Sequence, residues 1–213
     1  MFKSEIRNIL SKPLWQLFIA IIIFYTIGLF LYSHFVWSTD FYELNHTRKT
    51  NFETQIDMYR RMDFIRYLFS PVYIISMSYL IFGLIKTGLL SANIEFENRL
   101  LLKIIVVGLF ILSLPLWVKV VWFVLIKGSY TYNEVRFYYP FSVLYFFEPN
   151  DLNIKVVKAL GRINLYHLVF MIFITWAIKM YSTVSFKRLF IIILYTYGLA
   201  LITLQLFIIL IFM

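Results

Sequence analysis

The stretch LFIIILYTYGLALITLQLFIILIFM, Leu189 to Met213, decides the fold. Its 25 residues include no charged side chain. A hydrocarbon core of about 30 Å takes roughly 20 apolar helical residues to cross, so this stretch is long enough to span a bilayer with room for tilt. Because it runs to the last residue, the expectation is a chain that finishes inside or just across the membrane with no soluble tail.

Composition widens that reading to the whole chain. Apolar residues make up 62% of the 213, aromatics 21% and charged groups 15%, whereas a soluble domain has roughly 45–50% apolar and about 25% charged residues. The 23 Phe, 16 Tyr and 5 Trp exceed what one interior needs and suit side chains at lipid and headgroup level. The net charge of +9 does not point to nucleic acid, because the Lys and Arg residues flank apolar runs instead of forming one basic face. Anionic lipid is the expected counter-ion. With no Cys, disulfides, thiolate metal sites and cysteine nucleophiles are excluded.

Uncharged windows give five expected transmembrane helices in one multi-pass, all-α membrane domain covering 1–213. The spans are about 14–33, 67–85, 104–126, 163–178 and 189–212, with outer loops 34–66 and 127–162. Pro13 and Trp15 suit a helix start at the interface. The basic Met1 to Lys12 segment resembles the start of a signal peptide, but the following run is about 20 residues long and lacks a small-x-small site, so an uncleaved first span is expected. The third span is interrupted by Pro115 and Lys119. Lys and Arg density then sets direction. Lys3, Arg7, Lys12, Lys86, Arg99, Lys103, Lys179, Lys187 and Arg188 fall in about 40 residues on one side, the denser side, which places the N-terminus in the cytoplasm and the C-terminus outside.

Neither outer loop is large enough to be a domain. In the first, Phe52, Ile56 and Tyr59 lie at helical intervals while Asp57, Arg60, Arg61 and Asp63 can face water; Asn51 to Arg66 reads as an interfacial helix or as a solvated loop. In the second, Pro149-Asn150-Asp151 supplies a stop and cap before Leu152, Val156, Leu160 and Ile163 on one helical face, with Lys155, Lys158 and Arg162 on the other. That helix lies on lipid with its cations towards phosphates, or forms the face of a partner contact. The aromatic crowd from Tyr130 to Phe147 reads as an interface belt.

Chemistry has few places to sit. All 11 acids (Glu5, Asp40, Glu43, Glu53, Asp57, Asp63, Glu95, Glu97, Glu134, Glu148 and Asp151) fall outside the expected spans, which argues against proton-coupled carriers and intramembrane aspartyl enzymes. His34, His46 and His167 show no HExxH pairing, so no metal is expected. Ser76, Ser78 and Ser113 lack a GxSxG context, and no nucleotide-binding glycine motif occurs, so no cofactor is expected. Lys119 is the one cation expected at depth, roughly 22 Å along its span. It reads as a snorkelling lysine or as a substrate contact, and a kink at Pro115 would turn Trp117 to Ile126 into a re-entrant segment.

From Tyr67 onward the chain resembles the bacterial branch of the Yip1-like membrane proteins. The likeness rests on Lys86-Thr-Gly88, Asn93-Ile-Glu-Phe96, Ser113-Leu-Pro115, Leu160-Gly-Arg-Ile-Asn-Leu-Tyr-His-Leu168 followed by Trp176, and Ser185-Phe-Lys-Arg188 before the last apolar run. The resemblance implies five helices, a cytoplasmic N-terminus and no catalytic residues. The eukaryotic relatives have a sizeable cytosolic N-terminal region and an Asp-Leu-Tyr-Gly-Pro signature; neither is present here, so no vesicle-trafficking role carries over.

The resulting expectation is a non-enzymatic accessory or scaffold subunit of a protein complex in a bacterial inner membrane, with membrane lipids and other membrane subunits as partners. Gly28, Gly83, Gly108, Gly198 and Ala200 offer close approach for helices within the chain or to a partner, and a homo-oligomer stays open. The alternative is a transport component, a pore or permease-like exporter subunit thinly lined by Thr26, Ser76, Ser113, Asn164, Thr175 and Gln205. A more distant one is a lipid-headgroup enzyme using His167 and Glu148 as an acid–base pair.

Overall fold

The computed structural model describes residues 2–37 and 52–212. Helices α1 (Phe2–Ser11), α2 (Leu14–Val36), α3 (Phe52–Ser91), α4 (Asn98–Lys127), α5 (Tyr132–Phe137), α6 (Ile154–Arg162), α7 (Leu165–Lys179) and α8 (Phe186–Phe212) follow in order. The fold is all-α and polytopic: 23 residues of α2, 30 of α3 from Met62 to Ser91, 30 of α4 and 27 of α8 are long and apolar enough to cross a membrane. The chain is a membrane protein.

The fourth expected span differs. Apolarity alone marks residues 163–178 as a span, but Asn164 is the N-cap of α7, its side chain accepting from the Tyr166 amide at 3.1 Å, and the helix has only 15 residues. At about 22 Å it is shorter than a hydrocarbon core of about 30 Å. The long spans therefore number four, with α7 as a short apolar companion.

Continuity of two helices overturns the re-entrant alternative and favours the helical reading of the segment before the second span. Helix α4 passes through Pro115 to Val121 and ends in a π turn at Trp122–Lys127, so Trp117 to Ile126 is not a re-entrant segment. Helix α3 runs unbroken for 40 residues with Pro71 inside it. Proline removes the amide that would serve the Tyr67 carbonyl, and the Ser70 hydroxyl donates to that oxygen instead at 2.9 Å. The segment expected as an interfacial helix or a loop is the first part of α3. The side chains of Phe52, Ile56, Tyr59, Asp57, Arg60 and Arg61, on which its facing turns, lie outside the described residues, as do Asp40, Glu43, His46 and Asn51. Asp63 falls at the start of the apolar part of α3, paired with Arg66 at 2.9 Å.

Helix α4 is the centre of the bundle. It packs on α2, α3 and α7, while α8 packs on α7, α3 and α6. Leu101, Ile104, Ile105 and Val106 of α4 are fully buried among Ile21, Ile81, Phe170 and Ile174. Three of the glycines expected to allow close approach do so. A Cβ on Gly108 would come within 2.7 Å of the Phe170 ring, one on Gly28 within 3.0 Å of Trp117, and one on Gly198 within 3.1 Å of Met171; helices approach closely where small residues allow it. Gly83 faces open space.

The contacts sort the helix ends into two groups. At one end Lys103 donates to the Leu10 carbonyl at 2.8 Å, Lys86 to Phe96 at 2.9 Å and Arg188 to Ala92 at 3.1 Å, while the Arg7 guanidinium stands 5.9 Å over the Tyr181 ring. At the other, Tyr130 donates to the Phe35 and Val36 carbonyls, and α6 rests on Ile209 and Phe212. Helix α3 is thus antiparallel to both α2 and α4, whereas α8 runs parallel to α4 because α7 joins the two ends. Residues 2 and 212 lie at opposite ends.

Candidate functional site: an aromatic and basic cap

Residues 127–164 form a cap over the second end of the bundle. Its start is fixed by a capping box: the Glu134 amide donates to Thr131 Oγ1 at 3.4 Å, and the Thr131 amide donates back to Glu134 Oε2 at 2.7 Å. Lys127 Nζ also donates to Glu134 Oε1 at 2.5 Å. The Lys127 hydrogen bond first, and then the Thr131 amide, hold the exposed Glu134 carboxyl below the usual carboxylate range. Beneath it, Val36, Phe123 and Val135 are buried together, and the Phe123 ring meets Tyr130 and Tyr138 edge-on at 4.8 and 5.2 Å. Trp122 stacks on Tyr138 at 5.7 Å.

Lys119 reaches this cap from inside. Its ammonium sits 4.3 Å from the centre of the Tyr139 ring and 5.8 Å from that of Tyr32, a geometry in which the ring quadrupole compensates part of the lost hydration. Two rings therefore enclose the Lys119 ammonium on the cap side. Burial pushes the Tyr139 phenol up, so the ring stays neutral at physiological pH. The other face of the site is α6: Gly161 lies against the Tyr139 ring so closely that a Cβ would come to 2.5 Å from Cγ. One tyrosine thus links the cation of α4 to the surface helix.

Helix α6 follows the expected polarity with a different start. Pro149–Asp151 is a single 3-10 turn, and the N-cap is Asn153, whose side chain accepts from the Lys155 amide at 2.9 Å. The cap needs an acceptor immediately before the first helical residue, which Asp151 is too early to supply. Val156, Val157, Ala159, Leu160 and Gly161 are buried, with Leu144 inserted among them from the preceding turn. Lys155, Lys158 and Arg162 are exposed, and Lys155 Nζ lies 3.6 Å over the Phe212 ring. The four basic residues expected at depth or on the surface helix belong to this end, with Lys119 inside the cap and Lys155, Lys158 and Arg162 on its surface.

The expected aromatic belt divides in two. Tyr130, Tyr138 and Tyr139 turn inward, whereas Phe141, Tyr145, Phe146 and Phe147 are exposed. The His167 and Glu148 pair is not assembled: His167 Nδ1 shares a 2.6 Å hydrogen bond with the Tyr197 hydroxyl, and Glu148 is exposed. Among the described residues no group of three or more His, Cys, Asp or Glu could hold a metal ion. Polar groups in the bundle serve the bundle. Ser78 donates to Ile74, Ser113 to Phe110 and Thr175 to Met171 carbonyls at 2.7–2.8 Å, and Thr26 and Ser70 share a 2.7 Å hydrogen bond between α2 and α3. Gln205 is buried, with Oε1 lacking a hydrogen-bond partner.

At the other end lies an open cleft of about 340 Å³ lined by Ser11, Pro13, Glu97, Arg99, Leu100 and Lys103. No sequence signal marks it, because its two sides come from segments far apart in the chain. No family model matches this chain, and neither a curated protein nor a solved structure matches it.

Proposed function

We propose that the chain is a non-enzymatic accessory or scaffold subunit of a larger assembly in a bacterial inner membrane. One observation carries this reading: the hydroxyls of Ser78, Ser113, Thr175, Thr26 and Ser70 inside the bundle are turned onto its own backbone and one another, while the built polar and aromatic surface faces outward from the cap. A protein that contacts other molecules by its surface needs that distribution; one that works on a substrate at depth needs the reverse. Membership of the Yip1-like family belongs to the same proposal and rests on the residues quoted above.

Cations concentrated at the α1 end support a reading in which that end is cytoplasmic and the cap outside, with short α7 crossing between them. Lys155, Lys158 and Arg162 then meet lipid phosphates, and the apolar sides of α2 and α3 meet lipid or other subunits. Native mass spectrometry of the tagged chain, extracted from its own membrane in mild detergent, tests the proposal. A stoichiometric partner is expected. A lone monomer, or a closed ring of identical chains, contradicts it.

A transport component is the second reading, favoured by one feature, the Lys119 cation drawn into the bundle. It requires ion or lipid flux through liposomes holding the chain alone, altered by Lys119→Ala.

A further inference from the structure

The shortness of α7 leaves a gap on one side of the bundle, and the turn that precedes it is shaped to fill that gap. Leu165, Leu168, Val169 and Ile172 make an exposed apolar face, yet a helix of about 22 Å leaves several ångströms of hydrocarbon uncovered. Immediately beyond its first residue lies the turn from Phe141 to Phe147, where Phe141 is 62%, Tyr145 64% and Phe146 85% exposed. Phe141 meets Tyr166 of α7 edge-on at 6.1 Å, so the aromatic surface continues the helix face.

The geometry points to this turn lying in the outer leaflet beside α7, where its rings supply the apolar height that the helix lacks. The occupant of the exposed surface is the lipid of the same bilayer.

Three features fit lipid as that occupant. First, irregular backbone tolerates a membrane boundary only when its polar groups are paired. Here the Val143 amide donates to Ile163 at 2.9 Å, Leu165 to Phe141 at 3.0 Å, and Phe147 to Leu144 at 3.1 Å. Second, the turn is anchored while its rings stay exposed: Leu144 is 3% exposed against Val156, Val157 and Leu160, and exposed Phe141 has a positive φ of 56°, a backbone conformation that non-glycine residues adopt only under constraint. Third, the charges beside it are sorted for a headgroup layer, since Lys155, Lys158 and Arg162 outnumber the neighbouring Glu148 and Asp151. Aromatic side chains concentrate at this depth in membrane proteins.

The inference rests on α7 crossing the bilayer, and the test separates the two. The chain has no Cys, so single cysteines introduced as Phe146→Cys, Ile172→Cys and Lys158→Cys accept a nitroxide without background. Each labelled protein is reconstituted in vesicles of phosphatidylethanolamine and phosphatidylglycerol, and its relaxation by oxygen and by a neutral nickel chelate is compared. The expected result is that the labels at 146 and 172 are relaxed more by oxygen, and the label at 158 more by nickel. A label at 146 relaxed mainly by nickel, with 172 still in lipid, overturns the inference alone. A label at 172 relaxed by nickel removes the crossing itself and the inference with it. A label at 146 reached by neither reagent means another protein chain covers the turn, which also overturns it.

Discussion

Replacing Gly161 with alanine should loosen the cap, although alanine is the better helix former. The added Cβ would lie 2.5 Å from Tyr139 Cγ. That atom is one bond from the tyrosine Cβ, so rotating the ring cannot clear it and the 139–142 backbone or α6 must move. Overpacking of this kind costs about 1–3 kcal/mol. Displacing the ring from Lys119, 4.3 Å away, removes a desolvated cation–π contact of up to about 2 kcal/mol. Against these, Ala for Gly in a helix gains at most about 1 kcal/mol. Taken at those limits the net is roughly 2–4 kcal/mol against docking, and since 1.4 kcal/mol is about tenfold, the open population rises about 25- to 700-fold. Amide exchange followed by mass spectrometry reads this at Val143 and Leu165, whose amides donate across the junction of the cap with α6 and α7, while Leu101 in buried α4 serves as the unmoved reference. The sign should reverse in a Tyr139→Ala background: with the ring gone, Gly161→Ala slows exchange through helix propensity. Equal acceleration in both backgrounds, or none in either, refutes the account of Tyr139 as the link between Lys119 and α6.

Three further outcomes follow from the same contacts. Leu144→Ala, which empties a side chain 3% exposed between the cap and α6, should cost about 2–5 kcal/mol of cap stability and speed tryptic cleavage at Lys155 and Lys158. Glu134 titrates below its ordinary value in the folded protein; its contribution is complete at neutral pH, where the carboxylate is ionised in both states. It is lost as pH falls below about 4.3 and through the lower folded value, so Glu134→Gln should destabilise the 127–137 segment at pH 7 and match the parent at strongly acid pH in exchange measurements. Gln205→Leu should be neutral or raise the thermal midpoint in detergent, because the buried Oε1 has no hydrogen-bond partner and an unsatisfied buried group costs about 1–3 kcal/mol; a fall would mean that this amide has a role in the bundle.

The long helices were legible because a bilayer imposes a simple rule on a sequence, an uncharged window of fixed length, and Leu189 to Met213 satisfies it without interruption. The same rule misled where helicity and apolarity part company. Arg66 ends the apolar window of 67–85 but not the helix, so α3 begins at Phe52. Asn164 sits inside a run that reads as span but caps α7 with its side chain. Pro115 suggested a break, yet a proline inside a packed helix is accommodated when its neighbours hold it, as α2 and α7 do for α4. The basic face of α6 was readable because Lys155, Lys158 and Arg162 repeat at helical spacing. What encloses Lys119 was not, since Tyr32 is far back in the chain and Tyr139 lies across the cap; only folding brings those rings to one ammonium. Gly161 gave no sign of its part either, because a glycine near a helix end usually marks a stop, whereas here it makes room for a ring.

Placement of the two bundle ends on opposite faces of the membrane is the claim on which the rest depends. With no native Cys to remove, Lys158→Cys in the cap and Thr183→Cys in the exposed turn between α7 and α8 can each be treated, in sealed right-side-out membrane vesicles, with a membrane-impermeant maleimide. The account predicts that the cysteine at 158 reacts at once and the one at 183 only after the vesicles are opened. Reaction of both, or of neither, before opening would place the cap and that turn on one side, leave α7 uncrossed and contradict the account.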